Sequence, residues 1–150
     1  MKTTVDWLRF RAKDEPVQIL DALRPMYGSM AGDLHLAPGQ KGILGFRQAI
    51  TIKLQDIPIG RMDFGGESQR GWVRVDIPGK GCEWVQDWCA TDEVESLTSA
   101  QIRRLDIALT TWDGEVTHER VLQAHQDGKF ITGGKPPELR QIVSSDQHAG

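Results

Sequence analysis

Between Phe46 and Ile77 the chain sets three strand-like runs end to end, and this constrains the fold more than any other stretch. Phe46–Leu54 puts Ile50, Ile52 and Leu54 on one face. A tight turn at Gln55-Asp56 leads into Ile57–Phe64. Gly65-Gly66 breaks the pattern, and Gly71–Ile77 resumes it with Val73, Val75 and Ile77 facing inward. Alternation of period two suits a strand that is dry on one face and wet on the other, so the three runs read as an antiparallel meander.

The flanking segments add helices and further strands. Val5-Asp6-Trp7-Leu8-Arg9-Phe10-Arg11 is strand-like and carries residues at home in sheets. Pro16 suits a first helical turn, Val17, Ile19, Leu20, Leu23 and Met26 follow at helical spacing, and Gly28 is the expected stop. Residues 28–45 read as a glycine-rich loop. After the breaker Pro78-Gly79-Lys80-Gly81, the spacing of Val85, Trp88 and Cys89 predicts a helix, and Thr91-Asp92-Glu93 ends it or starts another. Ile102–Trp112 predicts a well-patterned strand with Leu105, Ile107 and Leu109 on one face and Asp106, Ala108 and Thr110 on the other. Thr117 is a candidate N-cap for a last helix that Gly128 ends, and Arg140-Gln141-Ile142-Val143 could begin one more strand. The order is β-α-β-β-β-α-β-α. It implies an α+β fold, with an antiparallel sheet of about five strands and helices on one face, over a single domain 1–150.

Charge and composition narrow the function classes. The net charge of −3 excludes a uniformly basic nucleic-acid coat but not a local basic patch. Residues 1–80 hold 12 Lys/Arg against 9 Asp/Glu, and residues 81–150 hold 6 against 12. An anionic ligand is therefore expected on the first half, and a metal on the second or at a seam. No apolar run approaches the roughly 18 to 20 residues that span a bilayer, and the N-terminus lacks the apolar core of a signal peptide. On one helix, Cys82 and Cys89 would stand about 10 Å apart along the axis, too far for a disulfide. Two free thiols fit a reducing cytoplasm.

Three groups of residues could carry chemistry. Asp106, mid-strand, is either a metal ligand or active-site acid, or the partner of Arg103, Arg104 or a neighbouring arginine. Glu67, Asp63 and Asp76 are candidates for a second oxygen ligand to a divalent ion. Arg9, Arg11, Lys53, Arg61, Arg70 and Arg74 recur on strand positions, with Trp7 on the face of Arg9 and Arg11, and Trp72 on that of Arg74. Such a face is either an ordinary wet sheet surface or a platform for phosphates and bases. Lys80 sits in a strand-to-helix turn where a phosphate could bind, although no Walker loop is present. The four histidines form no local metal pair, and no Ser/His/Asp signature is visible.

Val5-Asp6-Trp7-Leu8-Arg9-Phe10 resembles the opening strand of phage and plasmid replication initiation factors, the rolling-circle initiators. The glycine-punctuated run from Gly42 to Gly66 is similar to theirs, as is Val75-Asp76-Ile77-Pro78-Gly79-Lys80-Gly81-Cys82. Arg104-Leu105-Asp106-Ile107-Ala108-Leu109 with Asp113-Gly114-Glu115 is the most specific match, and Gly133-Gly134-Lys135-Pro136-Pro137 resembles their basic turn. The resemblance implies the N-terminal part of a longer initiator that binds origin DNA, single-stranded or hairpin. It implies nicking by a tyrosine with a divalent metal, Mg²⁺ or Mn²⁺, and a host helicase as partner. Asp106 and Glu67 are the expected metal ligands, and Arg9, Arg11, Arg74 and Lys80 the expected DNA contacts. At Thr110, where members often carry an acid, this chain has none. Tyr27, the single tyrosine, lies too early to match the family's nucleophile. A DNA-binding module without catalysis, and a protein-interaction domain that uses residues 83–95 of the acidic half, are the alternatives.

Overall fold

The computed structural model describes residues 2–110, 116–131, 133, 134 and 138. It divides into two compact units, Lys2–Leu109 and the part from Thr110 onward. The first holds an open six-stranded sheet in the order β2-β3-β4-β5-β1-β6. Its strands are β1 (Lys2–Ala12), β2 (Leu34–Lys41), β3 (Gln48–Leu54), β4 (Ile57–Phe64), β5 (Val73–Pro78) and β6 (Gln101–Thr110). The expected meander is β3, β4 and β5, each antiparallel to the next. β1 then pairs antiparallel with β5, Trp7 opposite Pro78 and Ala12 opposite Val73. The α+β architecture read from the sequence is the one observed.

Helices cover one face of the sheet. α1 (Pro16–Leu23) begins with Pro16 in its first turn, where a missing N–H costs nothing, and the Gln18 side chain accepts from the Glu15 N–H. Pro25 ends it before Gly28, because proline cannot donate to the preceding turn. The chain tightens into a 3₁₀ segment, Arg24–Asp33, that Gly28 kinks at φ 54°. Ile19, Leu20, Leu23, Met26 and Tyr27 from this layer pack on Leu8, Phe10, Val75 and Ile77 of the sheet. α2 (Gly79–Cys82) is a single turn pressed so closely on β4 that a Cβ at Gly81 would collide with the Ile59 carbonyl.

Three expectations change, and one alternative is decided. Residues 28–45 are not one loop: Leu34–Lys41 forms the sixth strand, at the sheet edge. Pro38 and Gly39 hide it in the sequence, and an irregular register between Pro38 and Lys41 accommodates them. No helix links Cys82 to Cys89: Cys82 is buried at the end of α2 and Cys89 is exposed, both as free thiols. α3 (Asp92–Glu95) is the helix that restarts, one turn long. β6 is an edge strand, not a buried one, with Ile102 67% and Ile107 61% exposed.

The second unit contributes α4 (His118–Gln126), with the Thr117 hydroxyl accepting from the Arg120 N–H and Gly128 at φ 70° just past its end, as read from the sequence. Asp113-Gly114-Glu115, Lys135-Pro136-Pro137 and the expected strand at 140–143 lie outside the described residues. Among the described residues no helix is long and apolar enough to cross a membrane.

Candidate nucleic-acid interface

The face of the sheet away from the helices is built by alternation along β1. Leu8, Phe10 and Ala12 point into the core, so Trp7, Arg9 and Arg11 point out. Register brings Arg9 opposite Asp76 and Arg11 opposite Arg74, then Arg61 opposite Asp76 and Asp63 opposite Arg74. Arg61 and Asp63 share this face because of a bulge. Ile52 pairs with Gly60 and Lys53 with Pro58, which leaves Ile59 unpaired and turned into the core.

These residues form a ladder of alternating charge. Asp63 is fully buried and accepts from Arg61, from Arg74 Nη1 at 2.8 Å and from the Ile43 N–H at 3.3 Å. Asp76 accepts from Arg74 Nη2 at 3.0 Å, Arg9 Nε at 2.8 Å and Trp7 Nε1 at 2.8 Å. Burial pushes the Asp76 carboxyl up, but the Arg9 and Trp7 hydrogen bonds and the Arg74 and Arg9 charges outweigh it and hold the group below the usual carboxylate range. A buried charge without partners costs several kcal/mol, so Asp63 requires its arginines. Asp63 and Asp76, read from the sequence as possible metal oxygens, are thus occupied by guanidinium groups.

Three arginines against two carboxylates leave the ladder one positive charge over. Among the described residues the Arg11 side chain bonds only the neutral Gln101 side chain, at 2.8 and 3.1 Å, and its guanidinium lies 4.0 Å from the centre of the Trp72 ring. Lys13 approaches the same ring at 5.0 Å. Arg103, exposed on β6, completes a shallow groove of about 360 Å³ whose walls include Arg9, Arg11, Trp72, Arg74 and Phe46, with no carboxylate residue among its lining. Arg104 lies 4.2 Å from the centre of the Trp7 ring, so two consecutive residues of β6 reach the open face.

The structure therefore brings Arg9, Arg11 and Arg74 together and adds Arg103 and Phe46, which sequence reasoning missed. Arg74 is 9% exposed and clamped between two aspartates, so it holds its neighbours in place rather than offering a free cation. Lys80 is exposed on α2, beyond the end of β5, and does not line the groove.

The expected metal ligands are not brought together. Glu67 is exposed on the 3₁₀ turn Glu67–Gln69 that joins β4 to β5. Both Asp106 oxygens accept from Arg104, at 2.9 and 3.0 Å for Nε, and that hydrogen bond with the Arg104 charge lowers the Asp106 pKa. Among the described residues no three His, Cys, Asp or Glu side chains form a group that could hold a metal. Tyr27 is 1% exposed, its hydroxyl directed at the Gly81 carbonyl at 3.5 Å, and burial followed by the nearby Cys82 pushes its pKa up. In this arrangement the hydroxyl is closed off from a DNA phosphate.

No protein-family model matches the chain. No curated protein matches it. Among solved structures it matches a rolling circle replication initiator protein from Geobacillus stearothermophilus, with a TM-score of 0.56 and 20% identity over 84% of this chain. The match covers 50% of that protein, so the chain spans about half its length. The fold is that of a rolling-circle initiator.

Proposed function

We propose that the open sheet face binds DNA, single-stranded or hairpin, in a role like that of a replication initiator. The observation that carries this reading is the groove itself. Arg9, Arg11 and Arg103 line it beside Trp72 and Phe46, with no carboxylate residue in its walls. Cations placed next to aromatic rings suit a single strand, because phosphates meet the charges while bases stack on rings or on guanidinium planes. The likeness to a solved initiator supports the same reading.

The reading assigns binding and not strand cleavage to this chain, since its single tyrosine is buried. A fluorescently labelled single strand and a labelled hairpin, each titrated with the intact chain, test the binding. Binding that Trp72→Ala weakens by about 5- to 100-fold, the worth of one base stack, is the expected result. Equal affinity of the variant and the parent, or no binding even at low salt, would overturn the reading.

A further inference from the structure

On the opposite, helix-covered side, a second cavity faces solvent. It is a groove of about 470 Å³ between β1, β6 and the segment that carries α3, with Leu8, Phe10, Trp88, Val94, Ile102 and Leu105 among its lining residues. This is a ligand-sized volume and its walls are mostly apolar, with Thr91, Glu95 and Gln101 the polar residues among them. It continues onto β6, whose Ile102, Leu105, Ile107 and Leu109 are each 46–67% exposed at the free edge of the sheet. Continuous exposed apolar surface of this kind marks an interaction site more often than ordinary solvated surface.

The charge beside it selects the partner. From Gly81 to Ile102 the chain holds five carboxylates, Glu83, Asp87, Asp92, Glu93 and Glu95, and no lysine, arginine or histidine. All five are exposed, and none takes part in a salt bridge among the described residues. Glu95 lines the trough and the other four belong to the same stretch of chain, so the site complements a segment that presents a row of aliphatic side chains flanked by Lys and Arg. We infer that this groove docks an amphipathic basic peptide segment of a partner protein, on the side of the sheet opposite the proposed DNA face.

Short peptides of random sequence, displayed and selected on the intact chain, test this. Selection is followed by comparison of the winners on Ile102→Glu and on the charge-reversed Asp92→Lys/Glu95→Lys. All three sites are exposed, so both variants are expected to fold, and circular dichroism checks that they do. The expected winners combine aliphatic residues with Lys or Arg. They lose at least tenfold in affinity on Ile102→Glu and weaken on the charge reversal, while single-stranded DNA binding stays unchanged. Winners that are acidic, or that bind Ile102→Glu as well as the parent, would overturn the proposal. So would a dimer in sedimentation that Ile102→Glu dissolves, since the groove would then belong to a second copy. Loss of DNA binding alone bears on the open face and leaves this proposal standing.

Discussion

The salt dependence of DNA binding follows from a count of charges on the open face. Among the described residues Arg11, Lys13 and Arg103 have no salt-bridge partner, and the Arg61–Asp63–Arg74–Asp76–Arg9 ladder contributes one further positive charge. Up to four phosphates can then be neutralised. For a single strand the slope of log affinity against log salt is about −0.7 per phosphate, so about −2.8 is expected. Between 50 and 200 mM salt that slope lowers affinity by about 50-fold. Arg103→Ala removes one of the four charges without disturbing the ladder. Its slope should fall to about −2.1 and its loss over the same range to about 20-fold. Fluorescence anisotropy of a labelled oligonucleotide at several salt concentrations reads both slopes. A parent slope shallower than about −1, or a slope that Arg103→Ala leaves unchanged, would refute the count and with it the placement of the strand.

Three other expectations follow from the same side chains. Arg74→Ala should destabilise by about 3 kcal/mol, and the Arg74→Ala/Asp63→Ala double variant by less than the sum of the single changes; strict additivity in urea unfolding would show that the ladder is not coupled. The native Asp76 carboxyl lies below its unfolded value of about 3.9, so its stabilisation is full above that pH and lost as pH falls toward the lowered pKa. Asp76→Asn should be less stable than the parent at neutral pH and should lose less on acidification below about pH 4, which thermal melts across that range will check. Asp106 is tied to Arg104 rather than to a gathered donor set, so Mn²⁺ is expected to raise the melting temperature of neither the parent nor Asp106→Asn. A saturable upward shift in the parent alone would restore Asp106 as a metal ligand.

Much of the sheet was legible because alternation along β1, β3, β4 and β5 is written directly in their apolar residues. Where the sequence misled, the missing information was three-dimensional. Leu105, Ile107 and Leu109 alternate as well as any core strand, yet alternation records which face is apolar and not whether a neighbour covers it. β2 carries Pro38 and Gly39 and becomes a strand only because β3 offers it an edge. The face shared by Arg9, Arg11 and Trp7 was readable from spacing alone. Arg103 was not, because spacing along one strand does not say that β6 will lie beside β1. Asp63 and Asp76 could have been metal oxygens or arginine partners on sequence grounds, and only cross-strand register decides between the two.

The position of β1 has a kinetic consequence. This first strand lies between β5 and β6, and its Trp7–Asp76 hydrogen bond joins residues 69 positions apart. The β2–β5 meander closes through short turns, but β1 must wait for β5, at residues 73–78, and then β6, at residues 101–110, before it has its neighbours. Docking of β1 is therefore the slow, long-loop event of folding. The basic groove draws its walls from β1, β5 and β6, so it comes into being only at that last step. A nascent or half-folded chain carries the arginines but not the surface, and affinity for a single strand becomes a direct measure of completed folding.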